Sequence, residues 1–136
     1  MRTRTESCSL SLPHSPTSVS RARGFTVRTL ASWGVSDPVD DITLCVSELA
    51  TNALLHGRTP GHRFVVRLQL GPALRLEVHD SNPRPATLRA ADPYDPSGRG
   101  LFLVNELADR WGCCPRRGPG KAVWAEFDLP GADPAA

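Results

Sequence analysis

Three short stretches of this chain hold residue types suited to a charged, phosphorylated ligand. The first is Ser47-Glu48-Leu49-Ala50-Thr51-Asn52-Ala53-Leu54-Leu55-His56-Gly57, with Glu48 and Asn52 four residues apart. On a helix that spacing sets two side chains about 40° apart in projection, one turn above the other. A carboxylate so placed can act as a general base. The amide offers a neutral oxygen to a hard cation such as magnesium. The plainer alternative is a solvated Glu beside a helix-boundary Asn. The second stretch is Leu74-Arg75-Leu76-Glu77-Val78-His79-Asp80, a strand pattern that ends in an acid and runs into Ser81-Asn82-Pro83. A buried carboxylate there needs donors, and the exocyclic amine of a purine is one; an Asx turn at Asp80 is the simpler reading. The third is Gly98-Arg99-Gly100 ahead of a helical pattern. Two glycines let backbone approach a ligand closely, and free N–H groups at a helix start favour phosphate. A plain loop-to-helix junction would look the same.

Each stretch needs an element to hold it. Cys8-Ser9-Leu10-Ser11-Leu12 alternates and reads as a first, edge strand. Val19, Ala22, Thr26, Leu30 and Trp33 recur at helical spacing over Thr17 to Trp33, with Gly34 as the stop. Ser36-Asp37-Pro38 opens a second helix with the stripe Ile42, Cys45, Val46, Leu49 and Ala53, and Gly57 ends it. Arg63 to Leu70 and Leu74 to His79 read as strands joined across Gly71-Pro72-Ala73. Ser81 to Ser97 reads as a lid-length loop containing Pro83, Pro85, Pro93 and Pro96. Leu101, Val104, Leu107 and Ala108 then mark a third helix, closed by Trp111-Gly112. A short strand near Cys113, a Gly118-Pro119-Gly120 turn and a strand from Ala122 to Leu129 follow. Hairpin-joined strands with grouped helices predict an α+β two-layer domain, helices on one face of a mixed, mostly antiparallel sheet. Strict βαβ alternation is absent, which disfavours a Rossmann-type fold.

Bulk properties narrow the function classes. The 136 residues suit one domain, expected over residues 7–129 with flexible termini at 1–6 and 130–136. No apolar run exceeds four residues, and no 7–15-residue apolar stretch follows Arg2 and Arg4, which argues against a membrane span or a secretory signal. The net charge is +2, and the densest basic cluster is Arg116-Arg117, so a nucleic-acid surface is not expected. Cys8, Cys45, Cys113 and Cys114 lack C-x-x-C spacing and read as reduced thiols in a cytoplasmic protein.

The order of the three stretches resembles the ATP-binding domain of the GHKL superfamily (gyrase, histidine kinase, MutL). The chain is most similar to the small single-domain bacterial proteins related to anti-sigma-factor serine/threonine kinases. Glu48 through Asn52 to His56-Gly57 resembles the N box, Val78-His79-Asp80 the start of the G1 box, and Gly98-Arg99-Gly100-Leu101 the G2 box. Leu103-Val104 through Trp111-Gly112 resembles the helix that follows. The resemblance implies a Bergerat-type ATP-binding fold, with ATP and Mg2+ as cofactors. It implies that Asn52 holds the magnesium, that Glu48 is the general base toward an acceptor serine, and that Asp80 binds the adenine amine. Gly98, Arg99, Gly100 and Leu101 would line the phosphate end. The first helix, with Arg21 and Arg23, resembles the region where such kinases meet partners. Many relatives read D-x-G-x-G in the G1 box, whereas Asp80 here is followed by Ser81-Asn82-Pro83-Arg84.

The expected function is therefore an ATP-binding regulator that transfers a γ-phosphoryl group to a serine of an antagonist protein, and so controls a sigma factor. The alternative is a nucleotide-gated protein-binding module without kinase activity. A histidine-kinase catalytic half ranks lower, because no dimerisation helix with a phosphoacceptor His precedes the domain. A homodimer is compatible with the resemblance.

Overall fold

A computed structural model of the chain describes residues 5–56, 62–81, 96–115 and 120–130. The element order is β1 (Glu6–Leu12), α1 (Thr17–Ser32), α2 (Val39–His56), β2 (Phe64–Leu70), β3 (Ala73–Asp80), α3 (Pro96–Leu107), β4 (Arg110–Pro115) and β5 (Lys121–Asp128). The strands form one sheet in the order β1-β2-β3-β5-β4. All four pairings are antiparallel. The α+β two-layer expectation holds, with β1 at an edge as its alternation predicted.

Period-2 patterning decides which face of the sheet is covered. Burial alternates strictly along β2 and β3. Phe64, Val66, Leu68 and Leu70 on β2, Leu74, Leu76 and Val78 on β3, and Val123, Ala125 and Phe127 on β5 point into one core. The helices cover that face. α2 is the central helix, touching α1, α3, β2 and β3. Its predicted stripe of Ile42, Cys45, Val46, Leu49 and Ala53 is buried throughout.

The other face carries an ion-pair ladder. Arg75 Nε donates to Glu77 Oε2 at 2.7 Å and Nη1 to Glu126 Oε2 at 3.1 Å. Arg110 bonds Glu126 at 2.9 Å and Asp128 at 2.6 Å. The Arg75 guanidinium also lies 4.4 Å over the Trp124 ring.

Helix boundaries follow local chemistry. Gly34 adopts φ 74°. Its N–H donates to Ala31 O at 3.1 Å, and the Val35 N–H donates to Leu30 O at 2.9 Å. Those two bonds make a Schellman stop, as the glycine predicted. Asp40 and Asp41 lie in the first turn of α2, where negative charge suits the helix dipole.

The third helix departs from expectation at both ends. It begins at Pro96, a residue well suited to a first turn because its φ is preset and no N–H is needed there. Gly98-Arg99-Gly100 therefore belongs to the helix's opening turns and not to a loop before it. The helix ends at Leu107, and Trp111-Gly112 lies on β4. Gly112 is bare because the Trp124 indole covers it: a Cβ there would sit 2.8 Å from Cζ2. Trp111 Nε1 donates to Asn105 Oδ1 at 2.9 Å, tying β4 back to α3. Gly57, most of the Ser81–Ser97 segment, and Gly118-Pro119 lie outside the described residues.

Candidate nucleotide site

The candidate residues come from three neighbouring elements. α2 supplies Glu48 and Asn52, β3 ends in Asp80, and α3 opens with Gly98, Arg99 and Gly100. Since α2 packs on both β3 and α3, one helix links the other two. The Arg99 side chain lies outside the described part of the structure.

Glu48 and Asn52 are both half-buried, at the margin between the core stripe of α2 and its outer face. Burial raises the Glu48 carboxyl above its ordinary value. A carboxylate raised toward neutrality is a better proton acceptor at cellular pH than a fully solvated one. Cys45, one turn earlier, lies wholly inside the core. Burial, with Asp41 and Glu48 nearby, pushes its thiol up to about 12; it is a packing residue and not a nucleophile.

Asp80 is buried, so it is no solvated turn residue. Its partner is one the sequence did not single out. Lys121 donates from Nζ to Asp80 Oδ1 at 3.1 Å and lies 3.1 Å from Oδ2. The expected donor to this carboxylate was a ligand amine; the fold supplies an ammonium as well. Lys121 is the sole lysine among 16 basic residues, and it stands beside Asp80 because the two are register partners on β3 and β5. The available signal was Lys121 directly preceding an alternating strand, but the strand was expected to begin one residue later.

Leu101 is buried in the core cluster with Val104. Its side chain anchors α3, so any part it plays near a ligand is through backbone. Arg21 and Arg23 on α1 are exposed.

Among the described residues no three His, Cys, Asp or Glu side chains are grouped to hold a metal ion. A site with one amide oxygen suits magnesium, which keeps waters and takes phosphate oxygens in preference to a full protein cage. No described helix is long and apolar enough to cross a membrane.

Residues 12–127 match the family model for the histidine kinase-like ATPase domain. No curated protein matches the chain. Among solved structures, it is similar to the RsbU and RsbW domains of Rv1364c from Mycobacterium tuberculosis, with a TM-score of 0.71 and 19% identity. That match covers 91% of this chain and 32% of the other, so this chain spans about a third of its length. At that identity the likeness concerns the fold.

Proposed function

Since the chain belongs to the histidine kinase-like ATPase family, we propose that it binds Mg-ATP and transfers the γ-phosphoryl group to a serine of a partner protein. The observation that carries this reading is the half-buried Glu48 beside Asn52 on α2, the helix that packs against both β3 and α3. The RsbW domain named in the structural neighbour favours an anti-sigma-factor type of kinase, with an antagonist protein as acceptor and a sigma factor as the regulated partner.

The chain's own residues divide the work. Asp80 accepts a hydrogen bond from the base of the nucleotide. Asn52 offers its side-chain oxygen to magnesium, which when bound neutralises phosphate charge. The backbone at Gly98 and Gly100, near the start of α3, faces the phosphates with a positive dipole end. Glu48 takes the proton from the acceptor serine hydroxyl as its oxygen bonds phosphorus. The bond from the γ-phosphorus to its bridging oxygen breaks, and ADP carries that electron pair away. Catalysis of this kind rests on positioning and electrostatics.

Glu48→Gln tests the assignment. Phosphoserine formation on a candidate antagonist is expected to be lost while ATP binding, followed by calorimetry, persists. Undiminished transfer in the variant would remove Glu48 from the mechanism. ATP-dependent partner capture with no phosphoprotein formed by the wild type would favour the nucleotide-gated module instead.

A further inference from the structure

α2 carries a second line of side chains besides its core stripe. Leu44, Glu48, Thr51 and Leu55 follow one another at i, i+4, i+7 and i+11 along the helix. At about 100° per residue those four positions fall within about 60° of one another, away from the stripe of Ile42, Val46, Leu49 and Ala53. Leu44 is 40% exposed and Leu55 53% exposed, while Glu48 and Thr51 between them are half-buried. The Thr51 hydroxyl donates to Ser47 O at 2.8 Å, so it is already engaged by the helix backbone. Among the described residues four large apolar side chains are exposed, and two of them stand on this line. A single exposed leucine is ordinary on a protein surface. These two stand in line with the acid that phosphoryl transfer would use.

A general base takes a proton only from a hydroxyl within about 2.6–3.2 Å of it. The core closes one side of the half-buried Glu48, so an acceptor hydroxyl arrives from the outer side of α2, where Leu44 and Leu55 are exposed. A helix rises 1.5 Å per residue, which sets Leu44 about 6 Å from Glu48 along the axis and Leu55 about 10 Å the other way. An extended chain advances about 3.3 Å per residue. A segment laid along α2 with its serine at Glu48 therefore sets one side chain over Leu44 about two residues from the serine. It sets another over Leu55 about three or four residues away on the other side.

We propose that Leu44 and Leu55 are specificity-determining residues for the acceptor: they seat apolar side chains on both sides of its serine, and so select a serine within an apolar segment of the partner protein over one among charges. The surface serves this purpose only if Glu48 is the base, so it rests on the function proposed above. Contacts remote from the reacting atoms are made alike in the bound and transition states, so these leucines act on KM for the acceptor more than on kcat.

The test uses the full chain with Mg-ATP and a library of serine-centred peptides, degenerate at the flanking positions, with the phosphopeptides identified by mass spectrometry. Apolar residues are expected to be enriched two positions from the serine on one side and three or four on the other. The best peptide is then assayed with wild type, with Leu44→Ser and Leu55→Ser combined, and with Leu44→Met and Leu55→Met combined. The serine pair is expected to raise KM for the peptide by at least about tenfold, with kcat and calorimetric ATP affinity unchanged. The methionine pair keeps the wild-type KM, since a thioether side chain still packs against apolar groups. If the serine pair does not fold, Leu44→Ala and Leu55→Ala combined are read in its place. A wild-type KM in the serine pair overturns the proposal, and so does a library without apolar preference. If that pair also converts a wild-type dimer to monomer in sedimentation, the line belongs to a second copy of the chain. Transfer to an intact antagonist but to no peptide overturns the proposal too, since a local segment then does not suffice. Transfer to neither overturns the kinase reading itself, an outcome distinct from transfer that is indifferent to the two leucines.

Discussion

Glu48 keeps its carboxyl in a place that costs stability. Burial raises its pKa, so the folded state holds the proton more tightly than the unfolded chain does. Its contribution is most favourable below the unfolded value and is lost as pH rises through the raised one. Glu48→Gln removes that penalty. It is expected to melt a few degrees higher than wild type at pH 7 and no higher at pH 4, as scanning calorimetry would show. Gly112 makes the opposite case. The Trp124 indole lies across it, and a methyl group would meet ring atoms at 2.8–3.0 Å. Gly112→Ala is expected to cost about 1–3 kcal/mol as the ring is pushed off its seat, read from urea melts followed by tryptophan fluorescence. The cysteines divide by burial: Cys8 and Cys114 are exposed and Cys45 is buried. Native alkylation is expected to label the first two and spare Cys45 until the protein unfolds. Legibility at this scale was uneven. Glu48, Asn52 and Asp80 could be singled out as candidates from type and spacing. Lys121 could not, because its meaning comes from a register partner 41 positions away.

At the scale of elements, the periodic signals carried the strands and the first two helices. The stripe of α2 and the alternation of β2, β3 and β5 each reflect burial on one side only, and that is what a linear pattern records. The ends of α3 were misread for a physical reason. Glycines usually mark loops, yet those at 98 and 100 lie inside a helix whose side chain Leu101 is held by the core. Trp111-Gly112 looked like a helix stop because a glycine that accommodates a cross-strand indole has the same letter as one that ends a helix. The sheet's open face yields a pH prediction. Burial alone would raise the Glu77 carboxyl, but hydrogen bonds from Arg75 and His79 outweigh it and hold it below the usual carboxylate range. The Arg110 hydrogen bond lowers Glu126 against a smaller effect of burial. Their stabilisation is therefore present above the unfolded carboxyl pKa of about 4 and is lost as pH falls through the lowered values. Glu77→Gln is expected to cost about 1–3 kcal/mol at pH 7 and to flatten the acid limb of a plot of melting temperature against pH.

For the molecule as a whole, ligand linkage is the readout that joins fold to function. Mg-ATP at about 100 times its dissociation constant adds roughly 2.7 kcal/mol to stability, a shift of several degrees for a domain of this size. Asp80→Asn is expected to abolish most of that shift. It also lowers the starting melting temperature, because it weakens an ion pair that holds a buried ammonium. The ligand-induced change is therefore the quantity to compare between the two proteins.

The strand order has a consequence for how the chain comes off the ribosome. β5 is the last strand in sequence, yet it lies between β3 and β4 in the sheet. Until residues 121–128 have emerged, β3 has one hydrogen-bonding edge unfilled and β4 has no neighbour to pair with. The nascent chain thus presents an apolar central strand as a temporary edge, the kind of template on which chains join one another. Asp80, at the end of that strand, meets Lys121 in the first residue of β5, so the two charges come together only when the sheet closes.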